Sequence, residues 1–214
     1  MRIKICCISS VSEATLAINA GADAVGLVGK MPSGPGPISD ELIWSIARTV
    51  PPQVASFLLT SEQTAQGIVE HHHRTKTNTI QIVDELHDRD YATIREALPH
   101  VKLVQVVHVT GERSVDEAAE LAEFVDAILL DSGNPTLAVK ELGGTGRRHD
   151  WSLSRRIVET CGKPVFLAGG LNADNVREAV DTVGPFGLDI CSGVRTEGRL
   201  DPKKLEAFFN SANR

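Results

Sequence analysis

The sequence has 214 residues, of which 42% are hydrophobic and 23% are charged, and its formal net charge at pH 7 is −6. This balance is that of an ordinary globular protein, and the length accommodates one domain. The acidic charge excludes the basic surface of a typical nucleic-acid-binding domain, and no apolar run reaches the roughly 18 residues of a membrane-spanning helix. We therefore expect neither a nucleic-acid partner nor a membrane partner.

The N-terminus and the cysteines both predict a cytoplasmic protein. Residues 1–6 are typical of a strand, and no apolar signal-peptide segment precedes them. The cysteines show neither CxxC spacing nor a disulfide framework, so we expect reduced thiols. They are Cys6, Cys7, Cys161 and Cys191.

Short apolar runs alternate with helical patterns along the whole chain. The runs are nearly continuous and rich in Val, Ile and Leu, which indicates strands of a parallel sheet covered on both faces. Helix start signals follow them at Ser12, Ser39, Ser61 and Asp174. Eight such units predict a single (β/α)8 TIM barrel over residues 1–214, with an open doubly wound sheet as the alternative. The predicted strands cover residues 3–7, 24–28, 54–59, 79–83, 103–109, 127–130, 165–168 and 188–191.

Two reactive side chains follow predicted strands, and barrels carry their chemistry at the C-terminal strand ends. The Cys6 thiol is a candidate base or nucleophile, although an isolated cysteine is more often a small buried hydrophobe. Adjacent strand residues face opposite sides, so we expect Cys6 to face the mouth and Cys7 to face away. Asp131 follows the sixth strand, where partial burial would raise its pKa and suit it to acid–base catalysis. A turn aspartate is the equally supported alternative.

Three glycine-rich turns predict a phosphate site. The first is Gly143-Gly144-Thr145-Gly146 after strand six, and two others follow strands seven and eight. Glycines let backbone N–H groups approach an anion closely, and barrels hold phosphates after these last two strands. The candidate phosphate-binding residues are Gly144, Gly169, Gly170, Ser192 and Gly193.

Some other polar residues are weaker candidates. The run His71-His72-His73 looks like a set of metal ligands, but neighbouring helical residues face different directions. We therefore expect a solvated surface run and no metal site. Asp84 and Glu85 at the end of strand four and His108 near the end of strand five could line the mouth, with exposed loop positions slightly favoured.

Several segments, taken in chain order, resemble those of the phosphoribosylanthranilate isomerase family. Residues 4–9 resemble its KICGIT segment, and residues 21–26 resemble GADAVGF. In the second half, residues 131–132, 143–151, 167–172 and 189–194 are similar to LLDS, GGTG…FDW, LAGGLN and VDVSSGVE. The similarity spans the whole chain and is more specific in its second half.

The resemblance implies an Amadori rearrangement in tryptophan biosynthesis that uses no cofactor. By this resemblance, Asp131 is the general acid that protonates the furanose ring oxygen, and Cys6 is the base that takes the C2 proton. By the same resemblance, Gly170, Ser192, Gly193 and neighbouring amides hold the phosphate of the sugar-phosphate substrate. Further substrate contacts are expected from Lys4, Gln81, Asp84, His108 and Asp189. The outer faces of a barrel leave a monomer or a homodimer open.

The sequence departs from the family pattern at the end that should bind anthranilate. Residues 31–38 contain no equivalent of the arginine that meets the anthranilate carboxylate, and Gly36 takes the aligned position. Asp84 and its neighbours replace the end of a QLHG segment, and Cys7 replaces a glycine. Lys30 or Arg147 could substitute for the arginine. The alternatives are therefore an isomerase of another phosphorylated aminosugar, or a non-catalytic phosphosugar-binding barrel, against which the retained acid and base count.

Overall fold

The computed structural model describes residues 1–87, 89–134, 136–144 and 146–213, so Thr145 of the loop after the sixth strand lies outside the described residues. Eight parallel strands close into one barrel in chain order, and the eighth pairs with the first. The predicted (β/α)8 barrel is confirmed, and each predicted strand overlaps an observed one. The strands are β1 (Arg2–Ile5), β2 (Ala24–Val28), β3 (Ala55–Thr60), β4 (Thr79–Ile82), β5 (Lys102–His108), β6 (Ala127–Asp131), β7 (Val165–Leu167) and β8 (Gly187–Ile190).

Helices cover the outside of the barrel. A 3-10 turn (Ser192–Val194) and a short hairpin, β9 (Arg195–Thr196) and β10 (Arg199–Leu200), separate β8 from the last helix. Within the described part of the chain, no helix combines the length and the apolar character needed to cross a bilayer. The helices are α1 (Val11–Asn19), α2 (Asp40–Ala47), α3 (Ala65–Thr75), α4 (Tyr91–Ala97), α5 (Arg113–Ala122), α6 (Trp151–Thr160), α7 (Val176–Val183) and α8 (Pro202–Ala212).

The helix caps agree only partly with the predicted starts. Ser39 caps α2 as predicted, because its hydroxyl accepts a hydrogen bond from a first-turn N–H group. The starts at Ser12 and Ser61 are wrong: the caps of α1 and α3 are Ser10 and Thr64. A cap is defined by which side chain reaches the first turn, and these strand-to-helix turns offer several hydroxyls.

The core has two layers, which explains why the strand sequences are almost continuously apolar. One layer packs between the sheet and the helices and includes Ile5, Leu58 and Leu130, all 0% exposed. The other fills the barrel and includes Phe57 and Phe166, whose rings meet edge to face with centroids 6.1 Å apart. Because strand residues alternate between these layers, both faces of each strand are apolar.

The histidine run on α3 is not a solvated surface run, so that prediction is wrong. His71 is 3% exposed and His72 is 6% exposed. The His71 ring lies 3.1 Å from an Asp40 carboxylate oxygen and 2.9 Å from the Thr60 hydroxyl, and the His72 ring contacts the Thr77 carbonyl at 2.7 Å. The His71 ring therefore joins α3 to α2 and β3, and the His72 ring holds the turn that follows α3. Among the described residues, no three His, Cys, Asp or Glu side chains are arranged to hold a metal ion.

Candidate active site

A cavity opens at the C-terminal rim of the barrel, where the strand ends and the following loops meet. Because the strands are parallel, all their C-terminal ends lie at this rim, and residues that are far apart in sequence come together there. Four predicted site residues do not line this cavity in the part of the chain that the structure describes: Lys4, Asp84, His108 and Gly193. The predicted site residues that do line it are Cys6, Gln81, Asp131, Gly144, Gly169, Gly170, Asp189 and Ser192.

Asp131 ends β6 with its carboxyl group at the cavity. Burial raises the pKa of Asp131 to about 6, and the Asp189 carboxylate adds to the rise, while the Ser132 N–H and the Lys4 ammonium oppose it. The Ser132 N–H donates to Asp131 Oδ1 at 2.7 Å. A side chain on Gly143 would collide with this carboxyl group. A carboxyl with this pKa can donate or accept a proton near neutral pH.

Cys6 follows β1 and is 5% exposed, with its remaining surface at the cavity. A Cβ atom on Gly26 would lie 2.8 Å from Cys6 Sγ and 3.1 Å from Lys4 Nζ. The Cys6 thiol and the Lys4 ammonium therefore both lie against the same face of Gly26, close to each other. An ammonium in that position attracts the negative charge of a thiolate, which is the form of cysteine that accepts protons.

Lys4 and Asp189 form a buried ion pair at the floor of the cavity, with 2.9 Å between Nζ and Oδ1 and side-chain exposures of 0% and 8%. Burial acts to lower the pKa of Lys4, but the negative charges of Asp189 and Cys6 raise it above its ordinary value. Gln81 Oε1 also lies at the cavity and is buried without a hydrogen-bond partner among the described residues. Such an atom calls for a polar ligand, so this floor suits a hydroxyl group of a sugar.

Cys7 also lines the cavity, and the prediction that it faces away from the mouth is wrong. Side-chain alternation holds only inside a strand, and β1 ends at Ile5. The φ angle of Cys7 is 60°, a left-handed conformation that costs a non-glycine residue roughly 1–2 kcal/mol. This turn brings Cys7 Sγ to 2.7 Å from Cys191 Sγ.

Arg195 is a site residue that the sequence did not indicate. Its guanidinium donates to the carbonyl oxygens of Cys6 and Cys7 at 3.0 and 2.7 Å, and it pairs with Glu13 at 3.0 Å. It therefore fixes the backbone that carries both thiols. Its partners lie 188 and 189 residues earlier in the chain, and only the pairing of β8 with β1 brings them within reach.

The glycine-rich turns form one side of the cavity. Gly169 and Gly170 have φ angles of 85° and 65°. A Cβ atom on Gly170 would lie 2.9 Å from the backbone carbon of Arg147, so these two loops pack backbone against backbone. A Cβ atom on Gly193 would collide with the Leu171 carbonyl. Side chains are excluded here, and an anion can approach the main chain closely.

Another part of the cavity lining is apolar, and the lining that the structure describes includes no lysine or arginine. The loops after β2 and β6 meet here, where Ser33 Oγ donates to the Lys140 carbonyl at 2.5 Å. Gly36 has a φ angle of 85°, and its Cβ would lie 2.7 Å from Cys7 Cβ. An arginine at this aligned position has no space. The apolar residues are Val28, Met31, Pro35, Leu59, Val83 and Leu142.

Asp84 and His108 lie beside the cavity without lining it. Asp84 pairs with Lys140 at 2.6 Å and faces a separate groove between α4 and α5. The His108 ring bonds to the Val83 carbonyl at 3.1 Å, and burial lowers the pKa of His108. The Arg147 guanidinium pairs with Glu141. The Asp84 carboxylate and the Arg147 guanidinium are therefore engaged with protein groups outside the described lining.

The comparisons with known proteins agree with this geometry. The family model described as N-(5'-phosphoribosyl)anthranilate (PRA) isomerase matches residues 3–211. N-(5'-phosphoribosyl)anthranilate isomerase 2 of Methanosarcina mazei is 36% identical over 214 residues, covering 99% of this chain and 94% of the relative. The crystal structure of phosphoribosyl anthranilate isomerase from Thermotoga maritima is similar with a TM-score of 0.82 at 30% identity, covering 100% of this chain and 98% of the other. A phosphoribosyl anthranilate isomerase in complex with reduced 1-(o-carboxyphenylamino)-1-deoxyribulose 5-phosphate gives a TM-score of 0.79 at 29% identity, with the same coverage.

Proposed function

Because the chain belongs to the N-(5'-phosphoribosyl)anthranilate isomerase family, we propose that it converts N-(5'-phosphoribosyl)anthranilate to the carboxyphenylamino-deoxyribulose phosphate of tryptophan biosynthesis. The observation that carries this function is that Cys6 and Asp131 line one cavity together with the glycine-rich turns. A sugar phosphate held by those turns lies between a proton donor and a thiol. A purely binding barrel needs neither group.

The reaction divides acid and base work between these two residues. Asp131 donates a proton to the furanose ring oxygen, the C1–O bond breaks, and the amine nitrogen supplies the electrons that form a Schiff base. The Cys6 thiolate then removes the proton from C2, the C2–H electrons form the C1–C2 double bond of an enolamine, and the C=N π electrons return to the nitrogen. The enolamine takes up a proton at C1 while its C2 hydroxyl loses one, and it becomes the ketose. The raised pKa of Asp131 supports the first step because it keeps a protonated fraction near neutral pH.

The remaining polar groups bind the sugar and its phosphate. Gln81 presents a buried oxygen without a partner among the described residues, and together with the Lys4–Asp189 ion pair it would meet the ribose hydroxyls. The phosphate would bind against the backbone at Gly170, Ser192 and their neighbours.

Replacing Ser192 with alanine tests the phosphate site. Its hydroxyl lines the cavity, and a hydrogen bond to a charged group contributes about 1.5–3 kcal/mol. We expect inorganic phosphate to inhibit competitively, with a Ki about tenfold weaker in Ser192→Ala. Ser211→Ala, in the C-terminal helix, is the matched control. Equal inhibition of both variants would place the phosphate elsewhere.

The apolar side of the cavity would receive the anthranilate ring. Val28, Leu59 and Leu142 suit the faces of an aromatic ring, but the described lining supplies no cation for the ring carboxylate. An arginine–carboxylate pair is charge-assisted and often bidentate. Its absence affects substrate affinity, not the acid and base that perform the chemistry.

Steady-state kinetics on N-(5'-phosphoribosyl)anthranilate test the function directly. A lost charge-assisted pair of about 1.5–3 kcal/mol corresponds to roughly 10–100-fold in affinity. We therefore expect a KM at least about tenfold above that of a family member that carries the arginine, measured in parallel, with a similar kcat. The aniline analogue, which lacks the carboxylate, should have nearly the same KM in this enzyme. No turnover of either substrate would contradict the proposed function.

We also propose that the enzyme works in the cytoplasm, as a monomer or a homodimer. All four cysteines are free thiols, which suits a reducing compartment. One similar structure is described as monomers generated from the dimeric enzyme of Thermotoga maritima, so the barrel fold is compatible with both states.

A further inference from the structure

A pair of thiols next to the base has no part in the reaction described above. Cys7 Sγ and Cys191 Sγ are 2.7 Å apart and connect the loop after β1 to the loop after β8. Both residues line the mouth cavity, so a small molecule that enters the site can reach them. Cys7 is held there by a left-handed backbone, and strained backbone of this kind clusters at functional positions.

The two sulfurs are not equivalent. Cys191 Sγ donates a hydrogen bond to Cys7 Sγ, and Cys7 Sγ donates one to the Pro35 carbonyl. The contact with Cys7 lowers the pKa of Cys191, and the charge of the Arg195 guanidinium lowers it further against the effect of burial. The contact with Cys191, together with burial, raises the pKa of Cys7. Cys191 is therefore the more acidic thiol of the pair, and its thiolate is the form that attacks. A thiolate next to a neutral thiol is the arrangement of an attacking and a resolving cysteine.

We propose that Cys7 and Cys191 are a redox-active dithiol, and that their oxidation to a disulfide lowers the turnover of the enzyme. The oxidant is a peroxide. The Cys191 thiolate attacks one peroxide oxygen, the O–O bond breaks, and hydroxide leaves, so that Cys191 becomes a sulfenic acid. The Cys7 sulfur then attacks Cys191 Sγ, the S–O bond breaks, and water leaves with the Cys7 proton. A thiol reductant reverses the change.

The geometry requires little movement for this bond. A disulfide has an S–S distance of about 2.05 Å, so the two sulfurs must approach by well under an ångström. Cys6 is the residue directly before Cys7. The disulfide pulls on the backbone that positions the base. Since small displacements of a catalytic group have large effects on rate, we expect kcat to fall about tenfold.

The test treats the purified, reduced enzyme with hydrogen peroxide. We expect a loss of two of the four free thiols, a cross-link between the peptides that contain Cys7 and Cys191 by mass spectrometry, and a fall in kcat that dithiothreitol restores. Cys191→Ser cannot form the bond and should keep its own starting activity under mild peroxide. Cys161→Ser is the matched control, because Cys161 lies at the end of α6 with its thiol directed to the Lys163 carbonyl. It should respond as the natural enzyme does.

Three results would overturn the proposal. They are the absence of the cross-link, a cross-link that leaves kcat unchanged, and the same reversible loss of activity in Cys191→Ser. The proposal rests on the proposed function only for its activity readout. A reduced enzyme that does not isomerise N-(5'-phosphoribosyl)anthranilate would contradict that function, and the thiol count and the cross-link would still report on the dithiol.

Discussion

Replacing Asp131 with asparagine is expected to lower kcat/KM by at least ~10²-fold, because general acid catalysis contributes about 10²–10⁴-fold. Asparagine keeps the shape of the side chain and can still accept the hydrogen bond from the Ser132 N–H. It cannot deliver a proton to the furanose oxygen. In the natural enzyme, the acid is the protonated form, so its contribution falls as pH rises through about 6. The fall of kcat/KM as pH rises through about 6 should therefore be absent in Asp131→Asn.

The same substitution should stabilise the folded protein at neutral pH. Folding raises the pKa of Asp131 from 3.8 to about 6, so the contribution of this group to stability is complete below 3.8 and is lost as pH rises through 6. At pH 7 its ionised form costs on the order of 3 kcal/mol. Asparagine carries no charge and avoids that cost.

Thermal unfolding measures this difference. The Tm of Asp131→Asn should exceed that of the natural protein at pH 7, and the two should converge toward pH 4. Asp116→Asn, an exposed residue on α5, is the control and should change neither Tm nor kcat/KM. A lower Tm together with lost activity would mean that Asp131 acts mainly by holding the rim together.

The barrel was predictable because its signal is local and repeated. A strand buried on both faces must be apolar along its length, so β2 (Ala24–Val28) and β6 (Ala127–Asp131) are evident as runs. The parallel order then places every strand end at one rim. Cys6, Asp131 and the glycine turns could be placed at a common mouth for the same reason, without any knowledge of their contacts.

The contacts between loops were not predictable, because no local pattern encodes them. Cys7 is two residues beyond the end of β1, where alternation would have directed it outward, and its left-handed φ angle turns it back to the cavity. Arg195 reaches the Cys6 and Cys7 carbonyls only because the barrel closes. Similarly, the ion pair of Asp84 with Lys140 joins residues 56 positions apart and directs that carboxylate away from the cavity.

Cys6→Ser is expected to lower kcat by at least ~10²-fold, the typical effect of losing a general base. Serine is nearly isosteric, but its hydroxyl is a far weaker acid than a thiol, so the Lys4 ammonium has no anionic base to stabilise. Proton removal from C2 should then limit the rate. We therefore expect a larger primary isotope effect with substrate deuterated at C2 in Cys6→Ser than in the natural enzyme, at unchanged Ki for inorganic phosphate.

Cys161→Ser is the control for this comparison, since it removes a buried thiol that lies outside the described lining of the cavity. It should retain the natural kcat and isotope effect. Both variants should keep the circular dichroism of the folded barrel. If Cys6→Ser kept most of its turnover while Cys7→Ser lost it, the base would be Cys7. The left-handed turn would then serve to place that second thiol over the substrate, and the assignment of the base to the strand-end cysteine would be wrong.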